Sequence, residues 1–272
     1  MPQRSTHRSA LPAPAGTRAR RRRELSQNLL ADRAALRRFV RTAGPGAGDV
    51  VVEPGAGDGR ITAELAARAE RVIAYEIDPV LARRLRARCG RLPNVRAVAG
   101  DFLAAAPPAG PFHVAGNIPY VATSAIVEWC MAVPGLRSAT MITQLEYARK
   151  RTGGYGRWSL LTVRTWPSFG WRLSHAIPRE RFRPVPRVDA GVLRLERRER
   201  PLLPPAAMPA YERCVAVGFQ GRGGTLYASL RREYPRRRVD AAFRAAGVDR
   251  EAVVAFVHPD QWVALFLALH QP

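Results

Sequence analysis

The chain has 272 residues, 47% of them hydrophobic, which is enough for one substantial core and a smaller second domain. Its 44 Lys and Arg residues against 22 Asp and Glu residues give a formal net charge of +22, so we expect nucleic acid as a polyanionic partner. Three scattered cysteines without a CxxC pair argue against disulfides and structural zinc, as in a reducing cytoplasm, and no apolar run approaches the ~18 residues of a membrane span.

Composition divides the chain into three segments. Residues 1–23 contain seven arginines, no acid and no apolar stretch, which predicts a disordered basic arm and not a secretory signal. Residues 24–200 alternate apolar runs with helical stretches. Prolines at 201, 204, 205 and 209 then form a joint, and residues 201–272 have the spacing of a small, arginine-rich helical domain that we expect to bind RNA.

The middle segment reads as alternating strands and helices. The predicted strands are, in chain order, Asp49–Glu53, Arg71–Glu76, Val95–Ala99, Phe112–Gly116, Ser138–Gln144 and an alternating, antiparallel one within residues 187–198. Helices are predicted over Arg60–Ala69 and Pro79–Cys89. This alternation is typical of a doubly wound parallel sheet, so the predicted fold class is α/β, Rossmann-like, with a small C-terminal helical domain.

A glycine-rich turn, Gly55–Gly59, follows the first predicted strand and opens a helix, where glycines let the backbone approach a ligand closely. Glu76 ends the next strand, where its carboxylate can accept hydrogen bonds from both ribose hydroxyls. A nicotinamide dehydrogenase would present the same acid, but the GxGxG spacing differs from the dinucleotide GxGxxG, and Asp58 in the turn favours a cation over a phosphate. The sulfonium S-adenosylmethionine fits best, with Asp101 placed to accept from its adenine amine.

The tetrapeptide Asn117-Ile118-Pro119-Tyr120 ends the fourth predicted strand. The Asn117 side-chain oxygen and the Ile118 carbonyl can accept hydrogen bonds from an exocyclic amine, and Pro119 stiffens the chain that presents them. Tyr120 can stack on the base. Together with the glycine turn, this pattern predicts methyl transfer to an adenine amine by in-line displacement, without a metal or a covalent intermediate. Because a paired base is unreachable, the adenine must be flipped or come from a loop.

A second aromatic side chain is needed on the other face of the base, and Phe182 is the best candidate because prolines stiffen its loop and arginines surround it. A plain hydrophobic anchor is the alternative for this residue. We further expect a set of basic residues to border the pocket and bind phosphates near the flipped base: Arg149, Lys150, Arg151, Arg181, Arg183 and Arg187.

In this order the motifs resemble those of ribosomal RNA adenine N6-methyltransferases and, more narrowly, the erythromycin-resistance (Erm) family. Residues 26–30, Ser-Gln-Asn-Leu-Leu, resemble its opening SQNF motif, with Leu29 in place of phenylalanine. The later motifs match at Glu53–Gly59, Glu76–Asp78, Gly100–Phe102, Asn117–Tyr120 and the Phe182 loop. Residues 144–151, 221–224 and Gln261-Trp262 favour the resistance branch.

The resemblance implies a cofactor, a substrate and a set of binding residues. The residues that would hold S-adenosylmethionine are Asn28, the backbone at Leu30, Gly55, Gly57, Glu76, Ile77, Asp101, Phe102 and Asn117. The implied target is one adenine in the peptidyl-transferase region of 23S rRNA. Methylation there would remove a donor and add bulk where macrolides, lincosamides and streptogramin B bind, giving resistance.

Other functions stay open on the sequence alone. The nearest is a 16S rRNA dual adenine dimethyltransferase of ribosome maturation, followed by a DNA adenine methyltransferase. A non-catalytic RNA-binding or transcription factor on the same fold is the alternative from another class. The sequence does not decide whether one or two methyl groups are added. It also does not decide whether the substrate is naked rRNA or an assembling ribosomal subunit. Without a heptad repeat or a large apolar patch, we expect a cytoplasmic monomer.

Overall fold

The structure, a computed structural model, describes residues 28–221 and 224–270. Three parts of the sequence prediction therefore lie outside the described residues. They are the predicted arm at 1–23, Ser26 and Gln27 of the opening motif, and Arg222 and Gly223 of the 221–224 motif. The strands are β1 (Leu29–Leu30), β2 (Val50–Pro54), β3 (Arg71–Glu76), β4 (Val95–Ala99), β5 (Phe112–Asn117), β6 (Leu136–Gln144), β7 (Phe169–Ile177), β8 (Phe182–Arg183) and β9 (Ala190–Arg197).

The α-helices lie between and after these strands. They are α1 (Arg33–Ala43), α2 (Arg60–Ala66), α3 (Pro79–Cys89), α4 (Thr123–Ala132), α5 (Leu145–Arg151), α6 (Leu160–Thr165), α7 (Met208–Phe219), α8 (Leu226–Leu230), α9 (Arg236–Ala246) and α10 (Pro259–His270). Across residues 28–221 and 224–270, none of them is long and apolar enough to cross a bilayer.

Seven strands form the main sheet, in the order β4-β3-β2-β5-β6-β9-β7. Strands β2 to β6 run parallel, whereas β9 is antiparallel to both of its neighbours. Successive strand residues point to opposite faces: Val51 joins the cluster that includes Phe39 and Leu65, and Val52 joins the cluster that includes Ile126. Helices thus cover both faces, and the predicted α/β fold class is confirmed.

The strand order places a ligand crevice at one point of the sheet. From β2 the chain proceeds outward to β3 and β4 and then returns to β5 on the other side of β2. At such a reversal the connections leave in opposite directions from the carboxyl ends of adjacent strands, and a gap opens between them. The turn after β2 and the tetrapeptide that ends β5 both lie at this gap.

Two features of the β-sheets are missing from the sequence prediction. Strand β7 is an edge strand whose register shifts between Leu173 and His175, which blurs its alternation. The short pair β1–β8, with Leu30 opposite Phe182, has too few residues to produce a periodic pattern. The antiparallel strand within 187–198 is present as β9.

The C-terminal helices share their core with a segment from before residue 200. Val163 of α6 is buried in the same cluster as Trp262 of α10, and the Tyr211 hydroxyl donates to the Val163 carbonyl at 2.9 Å. Trp166 Nε1 also donates to Asp260 Oδ1 at 2.6 Å. The helical character of residues 201–270 agrees with the sequence, but α6 packs with that region across the predicted joint.

Gly218, near the C-terminal end of α7, tests the packing of this C-terminal core. A Cβ at this position would overlap the buried Trp262 ring and lie 2.7 Å from Leu226 Cδ1. We expect Gly218→Ala to lower the free energy of unfolding by about 1–3 kcal/mol, although alanine is the better helix former. Thermal denaturation measures the change. Gly48→Ala, where nothing lies within 4 Å of the added Cβ, is the control, and equal melting temperatures for the two variants would contradict the packing described here.

Candidate active site

A cavity of about 220 Å³ opens at the carboxyl edge of the sheet, between the turn after β2 and the end of β5. Its walls come from β1, from the segments that follow β2 to β5, and from the start of α4. The lining residues are Asn28, Leu29, Pro54, Gly55, Gly57, Tyr75, Glu76, Ile77, Leu81, Gly100, Asp101, Phe102, Leu103, Asn117, Ile118, Pro119, Tyr120, Val121, Ala122 and Ile126. The predicted cofactor and target motifs therefore meet in one cavity.

Close approach at the glycine turn brings these motifs together. Gly57 has a φ of 61°, and a Cβ there would lie 2.7 Å from Leu29 Cδ2. Gly55 has a φ of 66°, and its Cβ would lie 3.1 Å from Pro119 Cδ. Side chains at either position would push away the opening motif on one side or the target motif on the other. Leu29, where the family pattern has phenylalanine, packs directly on the turn.

Glu76 holds the turn in place from the end of β3. Its side chain is buried, with Oε2 accepting from the Gly57 N–H at 2.7 Å and Oε1 accepting from the Asp78 N–H at 2.8 Å. Burial raises the pKa of this carboxyl group. Each carboxylate oxygen can accept two hydrogen bonds, so the group keeps acceptor capacity towards the cavity. The next residue, Ile77, is half exposed and forms part of the wall.

Asp58 does not face the cavity, so the prediction that it selects a cationic ligand is wrong. Its Oδ2 lies 2.9 Å from Arg60 Nε and 3.5 Å from Arg88 Nη2. Arg60 belongs to α2 and Arg88 to α3, and the two arginines neutralise the negative charge of the Asp58 carboxylate. The charge of Asp58 therefore serves the structure of the turn.

Glu53 is a second buried acid, at the end of β2 and outside the cavity wall. Its Oε2 accepts from the Thr62 hydroxyl at 2.5 Å. Burial raises the pKa of Glu53 to about 8, and the nearby charges of Glu76 and Asp58 act in the same direction. At neutral pH the folded protein therefore favours the uncharged form, which can be buried at lower cost.

Asp101, the predicted acceptor for the adenine amine of the cofactor, caps a short turn at the rim of the cavity. Its Oδ1 accepts from the Leu103 N–H at 2.9 Å and caps the 3₁₀ turn Phe102–Ala104. The residue is nevertheless exposed and lines the cavity together with Phe102. Capping fixes the aspartate at the rim while leaving Oδ2 for a ligand.

The amide of Asn117 is oriented by the opening motif. Its Nδ2 donates to the Asn28 carbonyl at 2.6 Å, which leaves Oδ1 as an acceptor for a ligand. The Pro119 carbonyl accepts from the Ala122 N–H at 3.0 Å and starts the turn that carries Tyr120. The Tyr120 hydroxyl is buried without a partner in the described part of the chain, and burial, aided by the charge of Asp189, raises its pKa to about 12.

Phe182 corrects the prediction of a second stacking residue. Its side chain has 0% exposure and belongs to the core cluster that also contains Leu30, its partner across the β1–β8 pair. A ring enclosed on both faces cannot stack on a base, so the anchor alternative describes Phe182. Leu30 is likewise absent from the cavity wall, where Leu29 takes its place.

The six predicted phosphate-binding residues fall into two groups. Five of the six are exposed, Arg151 being the exception, and among the described residues the side chains of Arg149, Lys150 and Arg187 make no hydrogen bond or ion pair. The other three have partners within the protein: Arg151 Nη1 donates to Ser159 Oγ at 3.0 Å, Arg181 Nη1 lies 2.6 Å from Asp32 Oδ2, and Arg183 Nη1 donates to the Glu180 and Phe182 carbonyls at 2.7 Å. These bonds stabilise the loops around the site and reduce the freedom of the three arginines to bind phosphate.

Several wall residues were not predicted. Tyr75, Leu81, Leu103, Val121, Ala122 and Ile126 line the cavity beside the motif residues. The available signal was their position, because Leu103 and Val121 directly follow predicted ligand-binding segments and are exposed apolar side chains. An apolar residue just after a ligand motif is a wall candidate.

Comparison with known proteins now identifies the family. The family model for ribosomal RNA adenine dimethylases matches residues 18–271. The chain belongs to this family. A relative from Streptomyces fradiae, named rRNA adenine N-6-methyltransferase, is 57% identical over 252 residues, which cover 92% of this chain and 79% of the relative. The mycinamicin-resistance protein MyrB of Micromonospora griseorubida is 35% identical over 245 residues, covering 90% and 78%.

Among solved structures, the 23S rRNA methyltransferase ErmE matches with a TM-score of 0.87 and 52% identity, covering 90% of this chain and 100% of that one. The resemblance to the Erm family drawn from the motifs is confirmed. Membership of this dimethylase family also confirms the predicted enzyme class, rRNA adenine methyltransferase.

Burial of the Glu53 carboxyl group predicts a pH-dependent stability. The folded state binds this proton up to pH about 8, whereas the unfolded chain releases it near the ordinary value of 4.5. Stability from this group is therefore complete below pH 4.5 and declines by up to about 1.4 kcal/mol per pH unit as the pH rises towards 8. Glu53→Gln removes the titration, so it should match the wild type at pH 4 and exceed it at pH 8. Urea unfolding at both pH values measures the difference; a difference that does not grow with pH would contradict the burial.

Proposed function

We propose that this protein transfers a methyl group from S-adenosylmethionine to the N6 amine of one adenine in 23S rRNA, and that the product confers resistance to macrolide, lincosamide and streptogramin B antibiotics. The single observation that carries the proposal is the oriented Asn117 amide, whose Oδ1 is left as an acceptor in the same cavity as the glycine turn. Its relatives named for rRNA adenine methylation and for mycinamicin resistance support the substrate and the outcome.

The residues on the β2–β4 side of the cavity fit the cofactor. Gly55 and Gly57 allow close approach, and the Glu76 carboxylate can accept from ribose hydroxyls. Asp101 Oδ2 can accept from an adenine amine, with Ile77 and Phe102 as apolar contacts at the ring. Asn28 closes the cavity on the Asn117 side. S-adenosylmethionine would supply an activated methyl group on a sulfonium.

The β5 side fits the target amine. An adenine amine is a poor nucleophile because its lone pair is delocalised into the ring. Hydrogen bonds from its two N–H groups to Asn117 Oδ1 and the Ile118 carbonyl favour a tetrahedral nitrogen whose lone pair is free to attack. Tyr120 would hold the flipped base by stacking. These groups act by orientation and electrostatics, so no side chain has to remove a proton before attack.

RNA contacts outside the cavity fall to the exposed cations. Arg149 and Lys150 lie on α5, which begins where β6 ends, and β6 is next to β5 in the sheet. Arg187 lies between β8 and β9 and, like α5, near the carboxyl edge, since Ala190 pairs with Gln144. We assign phosphate binding to these three residues. With rRNA as the substrate, we also propose that the protein acts in the cytoplasm as a monomer.

The test is methyl incorporation from labelled S-adenosylmethionine into purified 23S and 16S rRNA, with the modified nucleotide mapped by primer extension. We expect a single modified adenine in the peptidyl-transferase region of 23S rRNA. Label at adjacent adenines of 16S rRNA would instead assign the housekeeping reaction, and no label on either RNA would revive a non-catalytic RNA-binding role.

Asn117→Ala tests the residue that carries the proposal. We expect the rate of methyl transfer to fall by about a hundredfold or more, comparable to the loss of one preorganised hydrogen-bonding group at other reaction centres. Asn94→Ala is the matched control, because Asn94 Nδ2 also donates to a backbone carbonyl, that of Ala66 at 2.8 Å, but lies outside the cavity wall. If the two variants lose equal activity, the loss at Asn117 reflects general destabilisation.

Tyr120 separates stacking from hydrogen bonding. Its hydroxyl has no partner in the described residues, so Tyr120→Phe should keep both stability and methyl transfer near wild-type values. Tyr120→Ala should lower the transfer rate at subsaturating RNA by about tenfold or more, the contribution of one base–aromatic contact. Steady-state kinetics with an RNA fragment measures both. A phenylalanine variant as slow as the alanine variant would show that the hydroxyl itself binds the base.

A further inference from the structure

Exposed aromatic rings are rare in this protein. The chain has 9 Phe, 5 Trp and 7 Tyr residues, all of which lie in the described ranges. Only two of these aromatic residues are exposed to solvent. They are Tyr155, with a relative exposure of 51%, and Phe256, with 53%. Exposing a large ring to water forgoes the stabilisation that its burial would provide. Two such rings therefore mark a candidate interaction surface.

Each of these rings is paired with an arginine. The Arg149 guanidinium carbon lies 5.9 Å from the centroid of the Tyr155 ring, and that of Arg157 lies 5.4 Å from the Phe256 ring. Lys150 adds a third exposed cation next to Arg149. Aromatic faces interleaved with cations complement a flexible polyanion that carries flat bases, namely single-stranded nucleic acid.

The loop that carries Tyr155 is built to hold its ring outward. Gly153 has a φ of 70°, and a Cβ there would lie 2.6 Å from the Trp158 ring. Gly154 donates its N–H to the Arg149 carbonyl at 2.9 Å and packs against the Arg149 side chain. The loop is thus folded tightly onto the C-terminal end of α5 and onto Trp158, and Tyr155 projects from it.

Both rings stand on one support. The Trp158 N–H donates to the Ala255 carbonyl at 2.7 Å, which joins the Tyr155 loop to the turn that carries Phe256. Beneath this junction the rings of Trp158, Trp166 and His258 pack edge to face with centroid separations of 4.8–5.7 Å. Tyr155 and Phe256 therefore come from distant parts of the sequence but are fixed relative to each other.

Helix α5 links this surface to the sheet edge at which the cavity opens. Helix α5 begins at the carboxyl end of β6, where Ile142 pairs with Asn117. Its seven residues span about 10 Å and lead directly to the Tyr155 loop. One helix therefore separates the start of the Tyr155 loop from the sheet edge at which Asn117 lies.

We propose that Tyr155 and Phe256 form a stacking platform for unpaired RNA bases that flank the target adenine, outside the reaction cavity. Arg149 and Arg157 bind the adjoining phosphates. The platform rests on the proposed RNA substrate, and it extends that proposal by naming a second recognition site and its ligand. Its function would be to hold the strand open on one side of the flipped base, because a base stacked on a ring is unavailable for pairing.

Two RNA hairpins test the platform. Both carry the same target adenine in a loop; in one the flanking nucleotides are unpaired, and in the other they are paired. A Tyr155→Ala/Phe256→Ala double variant should bind the unpaired hairpin about tenfold more weakly for each ring removed, and the paired hairpin as the wild type does. The salt dependence of binding should keep its slope, because no cation is removed.

Matched variants isolate the rings from other effects. Tyr155→Phe/Phe256→Tyr keeps both aromatic faces and should retain wild-type affinity for both hairpins. Leu267→Ala removes an apolar side chain of similar exposure, 46%, from the surface of α10 and should also bind normally. In the unpaired hairpin, 2-aminopurine at a flanking position should be quenched on binding to the wild type but not to the alanine double variant.

The outcomes distinguish the platform from the proposed function. If the wild type binds and methylates RNA and the alanine double variant does so equally well, the platform is overturned alone, and the rings serve another partner such as a protein. Equal weakening on both hairpins also overturns it, since stacking on unpaired bases would not be involved. If the wild type binds neither hairpin and methylates no RNA, the proposed function fails and the platform fails with it.

Discussion

The pair of hydrogen bonds at Glu76 is the interaction on which the rest of the site depends. One carboxylate oxygen accepts from Gly57 and the other from Asp78, so a single buried side chain joins the end of β3 to the turn after β2. With the turn held in this conformation, Leu29 can pack against Gly57 and Pro119 against Gly55. The opening motif, cofactor turn and target tetrapeptide thus share one backbone geometry, and the amide of Asn117 is oriented because Asn28 is held next to it.

Charge is distributed unevenly around this geometry. In a protein with a formal charge of +22, acids are concentrated at the ends of β2 and β3, with Glu53, Asp58 and Glu76 close enough to influence one another. Asp58 is neutralised by arginines, and Glu53 by retaining its proton. Glu76 alone of these three reaches the cavity wall as an acceptor. The exposed cations lie outside, so the interior suits a small nucleoside cofactor and the exterior a polyanion.

The sequence predicts the elements and residues whose roles follow from local pattern. Strands β3 and β4 and helix α3 have the predicted bounds, and Glu76, Asp101 and Asn117 lie at strand ends because parallel strands deliver their carboxyl ends to one edge. Roles that depend on the direction of a side chain were harder to predict from the sequence. Phe182 has the same hydrophobic signature whether it stacks on a ligand or fills a core, and only its pairing across β1–β8 decides. Asp58 lies within the correct motif, but its side chain points towards Arg60 and Arg88. Nothing in the sequence around Arg60 indicates this ion pair, and Arg88 is thirty residues away.

The cavity wall is drawn entirely from residues 28–126, in spite of its position at the centre of a long sheet. The cations to which we assign phosphate binding, Arg149, Lys150 and Arg187, all come later in the chain. Under the proposed function, the residues for methyl transfer and those for RNA contact therefore lie in separate, contiguous stretches. A protein organised in this way can acquire a new ribosomal target by changes after residue 144 while the methyl-transfer apparatus stays intact. A chimaera joined within β6, between two members of the family, would be expected to keep the reaction and inherit the target of its C-terminal parent.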